Sequence, residues 1–93
     1  MDRDQLRNEA WIVDAVLGLF ARLYILRTDG AADGQKYGRM TSNQFLSAFG
    51  EPTAIEAELG RIYADEGLDG AFAWVESKLL PRFEQEEANR RRA

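Results

Sequence analysis

A chain of 93 residues with a formal net charge of −4 is long enough for one domain, here residues 1–93, and carries too small and mixed a charge for strong electrostatic steering. Because it contains no cysteine and no histidine, disulfide bridges, thiolate or imidazole metal sites and histidine-based acid–base catalysis are excluded. Ten of its twelve basic residues are arginine, which is typical of bacterial or phage genomes rich in GC.

The first strongly apolar segment predicts a long central helix from Asp2 or Arg3 to Arg27. At about 100° per residue, its apolar side chains share an arc of roughly 180°. They are Leu6, Ile12, Val13, Val16, Leu17, Leu19, Phe20, Leu23, Tyr24 and Leu26. One small neighbouring helix cannot cover so wide a face, and at least two are expected to pack on it.

Two large apolar residues, Trp11 and Ile25, fall instead on the polar stripe of this helix, beside Asp14 and Arg22. Either the loop or tail of the chain folds over them, or they belong to a patch that binds a partner or a second copy. Asp14 and Arg22 also interrupt the apolar run, so that it does not predict a membrane span. The first residues do not resemble a secretory signal, and we expect a soluble, cytoplasmic protein.

Residues 28–40 are rich in glycine and aspartate and predict a long loop. Asp29, Asp33 and Gly34 match three positions of a calcium loop, but the position that would supply the closing carboxylate is Met40. We therefore expect no metal. The loop also presents Tyr37 with Arg39, a tip that either contacts a partner or folds over Trp11; the second interpretation is preferred.

Two capping boxes predict a helical hairpin in the middle of the chain. The second helix begins at Thr41 or Ser42, with Gln44 reaching back to the cap, and ends at Gly50. The third begins after a cap at Thr53 and ends at Gly67.

Asp69 is predicted to cap a fourth helix, which carries apolar residues from Leu68 to Phe83. Pro81 lies within it and predicts a kink or break near Leu79 and Leu80. Residues 84–93 predict a charged tail that frays at its end. Its expected ion pairs join Glu86 to Arg90 and Glu87 to Arg91.

The hairpin also has the outline of a helix-turn-helix that binds nucleic acid. That alternative uses Arg61 and the tail residues Arg90, Arg91 and Arg92. Two acidic residues argue against this alternative, because they would repel the phosphates of a nucleic acid. They are Glu56 and Glu58, near the start of the helix that would enter the DNA groove.

No nucleophile elbow, phosphate-binding loop or dinucleotide glycine motif occurs, so we expect neither an enzyme nor a cofactor. The sequence predicts an all-α, compact domain of four to five helices. The expected function is non-enzymatic protein–protein interaction, as a small adaptor or inhibitor and as a homodimer, with nucleic-acid regulation as the alternative. The candidate partner-binding residues are Trp11, Arg22, Ile25, Tyr37 and Arg39.

Overall fold

The computed structural model describes residues 3–92, apart from the side chain of Leu6, and these residues form helices without any strand. The predicted start at Asp2 lies outside the described residues. The helices are α1 (Arg3–Asp29), α2 (Gly34–Thr41), α3 (Asn43–Leu46), a 3-10 helix (Ser47–Phe49), α4 (Pro52–Lys78) and α5 (Leu80–Arg92). The all-α prediction and the long N-terminal helix are confirmed.

Most of the predicted loop at residues 28–40 is a helix, and this part of the prediction is wrong. The turn is confined to residues 30–33, after which Asp33 caps α2 by accepting the Lys36 N–H at 3.0 Å. Met40, at the end of α2, is 1% exposed. A capped first turn and a buried apolar side chain together outweigh the two glycines of this helix.

The predicted second helix is shorter than expected. Ser42 is its cap, accepting the Phe45 N–H at 3.0 Å, whereas the Thr41 hydroxyl donates to a carbonyl of α2. After one α-helical turn the chain tightens into the 3-10 helix and stops at Gly50, whose φ is +140°. The expected end of the helix is therefore confirmed.

The third and fourth predicted helices are the two parts of α4, which are divided by a kink at Gly67. Glu51 rather than Thr53 is the cap, accepting the Ala54 N–H at 3.0 Å. Gly67 ends the first part of α4, as predicted: its φ of +73° and ψ of −166° are not helical, and the second helical part begins directly after it. Asp69 lies in the first turn of the second part, two residues after Gly67, rather than before that turn as its cap.

Pro81 marks the division between α4 and α5, as predicted. Helix α4 stops at Lys78, and the proline occupies the first turn of α5, where no helical partner for its missing amide is needed. The expected fraying tail is α-helical as far as Arg92. Glu86 pairs with Arg82 and Glu87 pairs chiefly with Arg39, so neither predicted tail pair is the one that forms.

Aromatic rings from four helices form much of the core. Phe83 of α5 is 1% exposed and meets the rings of Tyr24 in α1 and Phe45 in α3 edge-on, at centroid distances of 6.5 and 5.6 Å. Phe20 meets Phe72 of α4 in the same way at 5.3 Å. These contacts fix α1 against α4 and α5.

Candidate interaction surface

The side of α1 that the chain buries differs from the one that its apolar pattern predicts. Its buried apolar side chains are Val13, Val16, Leu17, Phe20, Ala21, Tyr24 and Ile25. At about 100° per residue, the centre of this set is rotated by roughly 80° from the centre of the predicted arc. The cause is α2, which packs on what the sequence shows as the polar side of the helix.

The rotation leaves one edge of the apolar arc in solvent. We call it the α1 stripe, and it consists of Ile12, Ala15, Leu19, Leu23 and Leu26. The four large side chains are 39–49% exposed and follow one another along the helix within an arc of about 60°. Single exposed leucines are ordinary, but a continuous row of them marks a contact surface.

Trp11 lies beside the α1 stripe and is 76% exposed, the most exposed of the large apolar side chains described. The expectation that Tyr37 covers it is wrong. Tyr37 packs further along α1, over Gly18, where its hydroxyl would lie 2.8 Å from any added Cβ atom. The glycine is what allows the ring to approach the helix so closely.

A surface pocket of about 230 Å³ lies where α2 meets the C-terminal half of α1, and we call it the Tyr37 pocket. Arg22 and Tyr37 form one side, with the guanidinium 4.4 Å from the ring centroid. Ile25, only 2% exposed, lines the pocket together with Leu26 of the α1 stripe. Three predicted partner-binding residues, Arg22, Ile25 and Tyr37, therefore meet at one site.

Arg39, the remaining loop residue among the predicted site residues, faces a different region. It donates two hydrogen bonds to Glu87 of α5, at 2.9 and 2.8 Å. The pair lies in a cleft of about 620 Å³ between α2, α3 and α5. These hydrogen bonds connect α2 to α5. They also stabilise the ionised carboxylate and so hold the pKa of Glu87 below its ordinary value.

The residues of the nucleic-acid alternative lie in two helices. Arg61 is exposed in the first part of α4, and Arg90, Arg91 and Arg92 form the last turn of α5. Arg90 lies 3.8 Å from Glu87, and Arg92 donates to Asn89 at 2.7 Å. The first helix of the expected helix-turn-helix is reduced to one turn of α3 and a 3-10 turn.

The acidic residues of the former calcium interpretation have other partners. Asp29 accepts from the Lys36 ammonium at 2.9 Å, and Asp33 caps α2. In the part of the chain that the structure describes, no group of three or more acidic side chains is placed to hold a metal ion.

Sequence reasoning missed the α1 stripe as a surface. It placed Ile12, Leu19, Leu23 and Leu26 in the core arc, where each fits the helical period. The width of the apolar arc was the signal that could have revealed it. When an apolar helix face is too wide for its neighbours to cover, one edge of that face stays in solvent.

Comparison of the chain with protein-family models, with curated proteins and with solved structures found no match in any of the three. Over residues 3–92, none of the helices has the length and apolar character that crossing a bilayer requires.

Proposed function

We propose that this protein is a non-enzymatic protein-interaction module that forms a homodimer through the α1 stripe. The observation that supports the proposal is the row of half-exposed Ile12, Leu19, Leu23 and Leu26 beside the exposed ring of Trp11. A small adaptor or inhibitor would present such a face to another protein.

The size of the stripe suits a weak pair. Covering the exposed half of one leucine or isoleucine contributes about 1 kcal/mol. A symmetric pair covers eight such side chains, which offsets much of an association cost on the order of 4–15 kcal/mol. Burial of Trp11 would add the largest further contribution to the free energy of association. Because the total is modest, we expect a dimer whose population depends on protein concentration.

Sedimentation or light scattering over a range of protein concentrations tests the proposal. We expect a dimer mass at high concentration and a monomer mass for Leu19→Asp, because the aspartate places a charge at the centre of the stripe. A wild-type protein that remains monomeric at every concentration would show that the proposed homodimer does not form.

Ala15 and Ala73 provide a matched control. Both are exposed and helical, one in the α1 stripe and the other in α4. Ala15→Asp is expected to weaken the dimer, whereas Ala73→Asp is expected to leave it unchanged, with circular dichroism showing that both variants fold. Equal effects of the two would mean that added negative charge, not the stripe, governs association.

The nucleic-acid alternative has its own outcome in the same set of measurements. Binding of duplex DNA at about 50 mM salt, lost steeply as salt rises and removed by Arg61→Ala, would favour it over protein interaction.

A further inference from the structure

Trp11 and the Tyr37 pocket are complementary features on the same flank of α1. At about 100° per residue, Trp11 projects between the directions of Ile25 and Arg22, which line the pocket. The indole is nonetheless about 16 Å from Arg22 along the helix axis, at 1.5 Å per residue. Because one rigid helix carries both, an indole cannot reach the pocket of its own chain.

We infer that two copies pair with their α1 helices antiparallel, and that Trp11 of each copy inserts into the Tyr37 pocket of the other. This inference rests on the proposed self-association and specifies how it occurs. A single type of contact would then cover the exposed indole and fill the pocket. Twofold symmetry requires that this contact form twice, once in each direction.

The orientation follows from which flanks meet. When two identical helices pair antiparallel about a twofold axis, equivalent flanks lie on the same side, so the Trp11 flank of one copy lies next to the pocket flank of the other. When they pair in parallel, opposite flanks meet, and Trp11 faces away from the pocket. Antiparallel helix dipoles also attract one another, whereas parallel ones repel.

The register follows from covering the whole α1 stripe. With Leu19 opposite its own equivalent, Ile12 lies opposite Leu26, and the small Ala15 lies opposite the large Leu23. Trp11 is then level with the end of the other copy's stripe, next to Leu26. Since helical side chains lean toward the N-terminus of their own helix, the indole leans toward residues 32–34 of the other copy, which complete the pocket.

The chemistry of the pocket suits an indole. Ile25 and Leu26 line the pocket and offer apolar contact to the ring. The Asp33 carboxylate at the rim is an acceptor for the indole N–H. The volume is below the roughly 300–1,000 Å³ of pockets that hold drug-sized ligands, which fits a single side chain.

Disulfide trapping tests the orientation, because the chain contains no cysteine of its own. Three single variants are needed: Ile12→Cys, Leu19→Cys and Leu26→Cys. We expect Leu19→Cys to form a disulfide-linked dimer by itself. A mixture of Ile12→Cys and Leu26→Cys is also expected to cross-link. Ile12→Cys by itself is not, because the two cysteines of the dimer would lie about 20 Å apart along the helix axis. Efficient cross-linking of Ile12→Cys alone would show parallel helices and overturn the inference.

Paired substitutions test the docked indole. Trp11→Ala is expected to weaken the dimer by about tenfold or more, as loss of a central aromatic contact does. Ala32→Trp fills the pocket from within and is expected to weaken the dimer comparably, whereas Ala31→Trp, at the adjacent exposed position outside the lining, serves as the control. Each variant is compared by sedimentation with wild type, after its fold is checked by circular dichroism.

The outcomes separate this inference from the proposal beneath it. A monomer at all concentrations removes both. A dimer that Leu19→Asp dissociates, but that Trp11→Ala and Ala32→Trp leave unchanged, keeps the proposed function and overturns the docked indole.

Discussion

On the side of α1 that its sequence marks as polar, the two halves are covered unequally, and the short helix α2 makes the difference. Trp11 in the N-terminal half and Ile25 in the C-terminal half both fall on the polar side of the sequence pattern, yet they are 76% and 2% exposed. Helix α2 packs over the C-terminal half, and the described structure has no counterpart over Trp11. An apolar residue on the polar side of a helix can therefore have two meanings. Ile25 indicates a helix that packs over it, whereas Trp11 indicates a surface open to a partner.

Alanine substitutions at these two positions should give the largest contrast. Ile25→Ala removes a fully packed side chain and is expected to lower the free energy of unfolding by about 3 kcal/mol. Trp11→Ala is expected to change the unfolding free energy of the monomer by less than about 0.5 kcal/mol. Urea denaturation at a concentration where the protein is monomeric measures both, and similar losses would mean that Trp11 is covered within one chain.

Alkaline pH should weaken the packing of the C-terminal half of α1. Burial of Tyr24, assisted by its hydrogen bond to Glu84 at 3.0 Å, raises its pKa to about 12. An unfolded tyrosine loses its proton near pH 10, so the stabilising contribution is complete below that value and is lost between about pH 10 and 12. We expect a loss of about 2 kcal/mol over this range, and Tyr24→Phe should flatten the profile.

The ion pair between α2 and α5 should contribute less. Glu87→Gln removes the charge that accepts two hydrogen bonds from Arg39 and is expected to cost about 1–2 kcal/mol at neutral pH. Because the folded-state pKa of Glu87 is depressed, the wild-type advantage should persist above about pH 4.5 and disappear as pH falls further.

Glu86 provides the matched control for this measurement. Its pair with Arg82 is more exposed, at 41% and 55% for the two side chains. Glu86→Gln should change stability by less than about 0.5 kcal/mol. An equal effect of the two substitutions would show that the Arg39 contact is not a tether.

Apart from the near-neutral substitutions at Trp11 and Glu86, the smallest effect is expected at the cap of α2. Asp33→Ala leaves the Lys36 N–H without its side-chain acceptor and should destabilise α2 by about 1 kcal/mol. Hydrogen exchange at the Lys36 amide should accelerate, while Asp33→Asn keeps the acceptor and restores protection. If the exchange rate is unchanged in the alanine variant, the cap does not stabilise α2, and its stability comes from tertiary packing alone.

The elements predicted well from sequence are those whose signals are local. The course of α1 follows from its continuous apolar period, and the break before α5 follows from the proline ring at residue 81. Helix α2 escaped prediction because its glycines and aspartates are typical of turns. Its stability depends on the burial of Met40 and the packing of Tyr37 on α1, which are tertiary contacts.

The same tertiary contacts explain how much of the candidate surface could be predicted. Trp11, Arg22, Ile25 and Tyr37 stood out as misplaced or solvent-facing residues, but their sequence positions did not show that the last three share a pocket. The α1 stripe was hidden for a related reason: periodicity shows which side chains share a face, and only the packing of α2 and α4 decides which part of that face is covered.

The bend at Gly67 carries a constraint that no contact map would reveal. A Cβ atom at this position would meet nothing within 4 Å, so steric room is available for any side chain. The backbone angles there are nevertheless ones that L-residues other than glycine rarely adopt. As such chains diverge, those that keep both parts of α4 packed on α1 should retain this glycine even where every neighbouring surface residue has changed.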